Sequence, residues 1–327
     1  MPKERILSGI QPSGKLHLGN LIGAIQNWVK LQDLYESYFE IADLHSLTTN
    51  YADTSEIKEN IKDVAIDLVA AGLDPKRCTI FLQSDIPEHS ELHLILSMFT
   101  PLSWLERVPT YKSQIEELKD KDLRTYGFLG YPVLQAADIL IYKANLVPVG
   151  QDQLPHLELC REIARRFNYL YGEVFPIPKE ALTEVPVLPG LDGRKMSKSY
   201  GNTINLSDSP EVVQKKVETM ITDPARIKKE DKGHPDICAV FAYHKIYNPK
   251  EVETIKKDCK EALIGCVECK KRLAKYLGAA LSPIYKKRKE LEAEPKKIQE
   301  ILEMGEKKAS RVATQTLLEV KQAMKLQ

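Results

Sequence analysis

Leu18, Leu21, Ile22, Ile25 and Val29 fall three and four positions apart, which predicts a helix over residues 17–32 with one apolar stripe turned toward a sheet. Ile6 and Leu7 form a short apolar stretch just before it. The run Tyr38 to Ala42 reads as a strand. A second helix carries Ile57, Ile61, Val64 and Leu68 on one face, with Asp53, Thr54 or Ser55 at its start, Gly72 at its end and Pro75 beyond. Cys78 to Leu82, Leu146 to Val149 and Val185 to Leu188 are further strand candidates.

Strands separated by helices of this length pair in parallel through crossovers, because a hairpin has no room for the helix. The pattern therefore predicts an α/β fold, a doubly wound, Rossmann-like parallel sheet whose ligands sit at the carboxyl ends of its strands. Residues 86–130 are irregular and helical, with Leu92, Ile95, Leu96 and Phe99 followed by the charged stretch Glu116 to Arg124, and read as an insertion. Pro189-Gly190 and Asp192-Gly193 mark a junction, after which the chain is mainly helical. The expected organisation is a catalytic domain over 1–190, a loop over 191–203 and an all-α domain over 204–327, its last helix returning to the catalytic domain.

Composition adds little at first: 327 residues, 43% apolar and 28% charged, are ordinary for a soluble folded protein. No signal pattern opens the chain and no apolar run reaches membrane length, so a cytoplasmic location and no membrane partner are expected. The net charge of +1 conceals a division. Residues 1–190 hold 18 Lys and Arg against 26 Asp and Glu, a net of −8, while residues 191–327 hold 29 against 20, a net of +9. Runs such as Lys270-Lys271-Arg272 and Lys286-Lys287-Arg288-Lys289 suit a polyanion, and nucleic acid is the expected partner of the basic part.

Two stretches carry chemistry. In "SGIQPSGKLHLGN", residues 8–20, Gly9, Gly14 and Gly19 permit close backbone approach, and a helix opening near His17 aims free N–H groups at the same place, which suits a phosphate. In "DGRKMSKSYGN", residues 192–202, Lys195 and Lys198 stand three apart with Ser197 and Ser199 in a glycine-flanked loop. Such a loop can neutralise charge that grows during attack at phosphorus.

"PSGKLHLGN" resembles the first signature of class I aminoacyl-tRNA synthetases, and "KMSKS" is their second. "GIQPSGKLHLGNLIGA", "YPVLQAADILIY", "VPVGQDQ" and "EKKASRVA" resemble the tryptophanyl-tRNA synthetases in particular. This resemblance implies that tryptophan attacks the α-phosphate of ATP, with Mg2+ on the triphosphate, and that the acyl group passes to tRNA(Trp). It implies an ATP cradle of Gly9, Gln11, Pro12, Ser13, His17, Gly19, Asn20, Gly150 and Asp152, with Lys112, Lys195, Met196, Ser197, Lys198 and Ser199 on the phosphates. His17, Asn20, Lys112, Lys195 and Lys198 are the implied catalytic groups. It also implies a homodimer.

By the same resemblance Asp138 accepts the indole N–H of tryptophan, and Tyr131, Gln135, His45, Gln11, Val147, Val149 and Gln153 line or order the pocket. A site built around a buried acceptor can reject analogues by roughly 10⁴–10⁵, which an apolar pocket cannot. His89, His93, His156, His234 and His244 receive no role. Gln135 departs from the Met of many bacterial tryptophanyl enzymes, and Y-x-x-x-Q-x-x-D is also the pattern of tyrosyl enzymes, so tyrosine is the alternative substrate. A small-molecule adenylyltransferase of the same fold is a second alternative, although it would lack the basic helical part.

Of six cysteines, Cys78 and Cys160 suit small core positions. Cys259, Cys266 and Cys269 are spaced by seven and three and would share one face of a helix, with Cys238 21 positions before Cys259. Four thiolates suit structural zinc or an iron–sulfur cluster, and spacing does not choose between them. A similar four-cysteine pattern marks a subgroup of bacterial tryptophanyl-tRNA synthetases, and that resemblance implies a 4Fe-4S cluster.

Overall fold

The computed structural model describes residues 3–109, 111, 115, 122–182 and 188–327. Lys112, most of the stretch 116–124 and residues 185–187 of one expected strand lie outside them. The chain divides into two compact units: Met1–Gly14, Gln26–Glu184 and Glu294–Gln327 form the first, Lys15–Ile25 and Val185–Ala293 the second.

The first unit is built on a five-stranded, wholly parallel sheet of strands β1 (Arg5–Ile10), β2 (Glu36–Ile41), β3 (Thr79–Leu82), β4 (Leu146–Val149) and β5 (Lys179–Leu182) in the order β3-β2-β1-β4-β5. The strand order reverses between β1 and β4, so the chain segments leaving β1, β2, β3 and β4 all emerge at one carboxyl edge. The apolar runs of β1 and β2 are buried on both faces, as a sheet covered by helices requires.

The first helix, α1, is one helical run over 18–31, made of Leu18–Asn20, a π-helical turn at Leu21–Ile25 and Gln26–Leu31. The single residue inserted by a π turn rotates the apolar stripe, which a plain 3.6-residue reading does not foresee. Trp28, in its last part, stacks on Phe39 of β2 at 4.9 Å. After β2 come α2 (Asp43–Asn50) and α3 (Ile57–Ala70), then, beyond β3, α4 (Pro87–Ser97), α5 (Leu102–Glu106) and α6 (Tyr126–Ile141). Helix α7 (Leu154–Tyr171) joins β4 to β5. Helix α3 starts later than the Asp53 to Ser55 cluster because Asp53 closes a turn onto the Ser55 N–H at 3.0 Å instead of capping the helix.

The fifth strand of the sheet lies at Lys179–Leu182, which the apolar pattern did not mark, while residues 185–187 of the run expected as a strand fall outside the described residues. Three of its four side chains are exposed, so it has no apolar signature and is held by its ladder to β4 and by a Glu180–Arg161 ion pair.

In the second unit lie α8 (Pro210–Thr219), α9 (Ala239–Tyr247), α10 (Val252–Lys260) and α11 (Cys266–Ala293), while α12 (Pro295–Ala323) belongs to the first. No described helix is long and apolar enough to cross a membrane.

Candidate active site

Asp138 is the centre of a buried polar cluster in the first unit. Gln83, directly after β3, accepts the N–H groups of Leu44 (3.1 Å) and His45 (3.4 Å) on Oε1, which turns its amide nitrogen toward Asp138. That nitrogen donates to Asp138 Oδ1 at 2.9 Å and Oδ2 at 3.0 Å. His89 Nδ1 lies 2.6 Å from Oδ1, and His45 Nε2 lies 2.8 Å from Oδ2. Burial alone would raise the Asp138 pKa, but contact with the two imidazoles pulls it below the ordinary carboxylate range.

Tyr131, Gln135 and Asp138 stand at i, i+4 and i+7 on α6 and share a face. The His45 ring meets Tyr131 edge-on at 6.4 Å, and the Tyr131 hydroxyl lies 3.1 Å from His156 Nε2. Burial lowers His156 to about 4. Val147 and Val149 are buried in β4. Gly150, Asp152 and Gln153 form the turn that leaves it, with Gln153 Nε2 3.4 Å from Asp152 Oδ2. Gly9 and Gln11 are exposed near the end of β1 and just beyond it.

The predicted list thus brings Asp138, His45, Tyr131 and Gln135 together and omits Gln83, His89 and Glu40. The signal that could have found Gln83 is its place immediately after a strand at the carboxyl edge. His89, in the first turn of the following helix, carries no such mark.

The second unit holds the turn around His17. Asn20 Oδ1 accepts the His17 backbone N–H at 3.0 Å, which closes the helix start and leaves the amide of Asn20 as a donor. The His17 ring lies over Gly19: a Cβ at position 19 would sit 2.9 Å from its Cε1 and Nδ1. Among the described residues His17 Nδ1 has no hydrogen-bond partner. Burial, and then the nearby charge of Lys198, lower His17 to about 4, so the ring is neutral at pH 7.

The loop 191–203 returns to this turn. Residues 204 and 206 bond to 18 and 16 (Leu18 N–H to the Ile204 carbonyl, 3.0 Å; Leu206 N–H to the Leu16 carbonyl, 2.9 Å). Buried Met196 anchors the loop. Asn202, absent from the predicted list, ties the loop together: its Oδ1 accepts Ser197 N–H at 2.9 Å, and its Nδ2 donates to Asp192 Oδ1 at 2.7 Å and the Lys195 carbonyl at 3.2 Å. Lys195 itself is exposed.

Cys238, Cys259, Cys266 and Cys269 line one pocket with Asp223, Arg226 and apolar Val240, Phe241, Ile255 and Ile264, around a cavity of about 20 Å³. The expected single helical face is corrected: α10 ends after Cys259, Ala262 takes φ 59°, and α11 begins at Cys266, so it is a turn that turns Cys259 to meet Cys266 and Cys269. None of the cysteines is in a disulfide. Burial raises the Cys238 and Cys259 thiols and pushes Cys269 up to about 12. Arg226 Nε is buried without a partner among the described residues. Among those residues, no three of the sulfurs lie mutually within 4.8 Å, wider than the about 3.8 Å that a tetrahedral zinc site with Zn–S near 2.3 Å requires.

Residues 2–282 match the family of class I tRNA synthetases for W and Y. The chain belongs to this family. It is 52% identical over 325 residues to the tryptophan–tRNA ligase of Thermotoga maritima, covering 98% of this chain and 99% of that one. It is 46% identical to that of Aquifex aeolicus, covering 98% and 100%. It also resembles the crystal structure of tryptophanyl-tRNA synthetase from Campylobacter jejuni complexed with ADP and tryptophan, with a TM-score of 0.88 at 34% identity over 98% of this chain and 99% of that one.

Proposed function

We propose that this chain activates tryptophan with ATP and transfers it to the 3′ end of tRNA(Trp). The observation that carries the reading is the end-to-end similarity to tryptophan–tRNA ligases in a chain that also surrounds Asp138 with three donor side chains at the carboxyl edge of its sheet. The tryptophan carboxylate oxygen attacks the α-phosphorus, the bond to the bridging oxygen breaks, and pyrophosphate leaves. A ribose hydroxyl of the tRNA then attacks the carbonyl carbon and AMP departs. No nucleophile from the protein is needed, so the residues supply position and charge.

Neutral His17 and the amide of Asn20 donate to phosphate oxygens, Gly9, Gly19 and Gly150 make room for adenine and ribose, Asp152 reaches the ribose, and Gln11, Pro12 and Ser13 complete the ATP side. Lys195 and Lys198 meet the charge of the leaving pyrophosphate, with Mg2+ accompanying the triphosphate. Asp138 accepts the indole N–H. Amino-acid-dependent ATP–pyrophosphate exchange across all twenty amino acids tests the reading, and a higher rate with tyrosine would transfer it to the alternative that Gln135 suggests. Assembly as a cytoplasmic homodimer belongs to the same reading and is checked by light scattering.

The four-cysteine pocket is read as the seat of a 4Fe-4S cluster, with structural zinc as the alternative. Four thiols lining one pocket beside a buried Arg226 Nε that has no partner among the described residues support an anionic, thiolate-held centre of either kind, and the resemblance in cysteine pattern is what favours iron. When bound, the cluster pins the helical unit where the anticodon docks and has no redox part in aminoacylation. Anaerobically purified protein should be brown and lose its colour in Cys266→Ser; colourless protein with stoichiometric zinc would reject iron.

A further inference from the structure

Glu40 is the next-to-last residue of β2 and lies in register with Gly9 of β1. Its side chain occupies the space that a side chain at position 9 would need: a Cβ there would fall 2.5 Å from Glu40 Cγ and 2.7 Å from Oε1. Glu40 is 4% exposed, and its Oε2 has neither solvent nor a donor. Ligand atoms of Glu40, His89 and Asp138 lie within 4.8 Å of one another, which sets the Glu40 carboxyl beside that of Asp138.

Two buried carboxyls so placed do not both ionise. Asp138 receives the imidazoles of His45 and His89 and keeps the charge. The groups facing Glu40 are Asp43 from α2, His89 from α4, Asp138 from α6 and the Tyr142 hydroxyl after α6. Burial and these neighbours hold its proton on well above the ordinary carboxyl range.

We propose that Glu40 is a positioning residue for tryptophan recognition: a neutral carboxylic acid, seated in the space left by Gly9, that donates its O–H to Asp138 and holds that carboxylate in place for the indole N–H. The proposal rests on the reading of Asp138 as the indole acceptor. Loss of the proton would remove a donor from Asp138 and set a second negative charge against it. Discrimination would then weaken at the amino-acid pocket while the phosphate-binding groups stayed as they are.

The test is the pH profile of ATP–pyrophosphate exchange, with KM for tryptophan and kcat measured separately at saturating ATP. In the wild type KM for tryptophan should rise on the alkaline side while kcat holds. Glu40→Leu, without a donor, should raise KM by about tenfold or more at every pH. Glu40→Gln restores an N–H donor that cannot titrate, and should bring KM back to within about threefold of wild type while abolishing the alkaline rise. Infrared spectra near neutral pH should show the carbonyl stretch of an un-ionised carboxylic acid, lost in Glu40→Gln. A Glu40→Gln profile that still bends as the wild type does, or no such band, overturns the proposal. So does a stoichiometric divalent ion bound by the wild type and lost in Glu40→Gln. If Asp138→Asn leaves KM unchanged while the band persists, the acceptor reading of Asp138 fails and takes substrate positioning with it, whereas the shared proton stands.

Discussion

His89 bridges two buried groups: its Nδ1 lies 2.6 Å from Asp138 Oδ1 and its Nε2 lies 2.7 Å from the Tyr142 hydroxyl, in a place with no exposure at all. Removing the ring therefore leaves the buried Tyr142 hydroxyl unmet and takes one donor from Asp138, which keeps Gln83 and His45. His89→Ala should lower stability by about 1–3 kcal/mol, the cost of one unmet buried group, and raise KM for tryptophan. Tyr142→Phe strands only Nε2 and leaves the bond to Asp138, so it should cost stability with a smaller change in KM. Denaturant titration beside exchange kinetics checks both, and equal KM changes in the two variants would count against the arrangement.

Gly19→Ala places a methyl 2.9 Å from the His17 ring, which must move because the helix backbone is fixed by its cap. A displacement of this size at a phosphate-binding group should slow adenylate formation by about tenfold to a hundredfold. Tryptophan affinity should be unchanged, because Asp138 and its partners are untouched. Single-turnover rates and equilibrium titration of tryptophan separate the two quantities.

Much of this was legible from the apolar pattern. β1 to β4, α1 and α3 were marked by buried runs or by stripes at helical spacing, since burial on a sheet demands such residues. β5 was not, because an exposed edge strand is fixed by backbone bonds and has no apolar requirement. The pocket residues divide the same way. Asp138 lies within a motif and His45 came only with the resemblance, whereas His89, Gln83 and Glu40 act through contacts between segments 40 to 100 residues apart that no local pattern encodes. The four cysteines were legible as a group, but the turn at Ala262 that brings Cys259 to Cys266 was not.

The lysine loop gives a prediction about rate alone. Lys195→Ala and Lys198→Ala should each slow adenylate formation by about 3 kcal/mol of barrier, the usual cost of deleting one preorganised donor to developing charge. Asn202→Ala should act in the same direction without removing any charge, because Ser197 N–H and the Lys195 carbonyl lose the side chain that ties them. Rapid-quench measurement of tryptophanyl-adenylate checks all three, and rates within threefold of wild type would reject the role of the loop.

The basic helices predict a salt dependence. Lys271, Lys275, Lys286, Lys287 and Lys289 are exposed on α11, whereas Arg288 of the same run is buried against Glu292 at 2.9 Å and is withdrawn from that face. Binding of tRNA(Trp) should weaken steeply with salt, and neutralising one phosphate-facing lysine should lower the slope of log affinity against log salt by about 1. Arg288→Ala should instead lower stability and leave the slope alone. Filter binding at several salt concentrations measures both.

Acid should unfold this protein through its buried imidazoles. His17 and His156 are both lowered from 6.5 to about 4, chiefly by burial, with Lys198 adding to the shift at His17. Between those values the unfolded chain binds protons that the folded chain refuses, so the folded state is favoured fully above pH 6.5 and loses that advantage as pH falls toward 4. Each ring is worth on the order of 2 kcal/mol across this window, after allowance for the solvent that still reaches it. Glu40 works in the opposite sense: its raised value favours the fold fully below 4.5, and that contribution is lost progressively as pH climbs above 4.5. Stability against pH should therefore show a fall on the acid side set by the two imidazoles and partly offset by Glu40. Urea midpoints at pH 7.5, 6 and 5 should decline steadily in the wild type, with the decline reduced in His156→Asn and in His17→Asn. If both variants kept the full wild-type slope, the acid sensitivity would have to lie in groups other than these two rings.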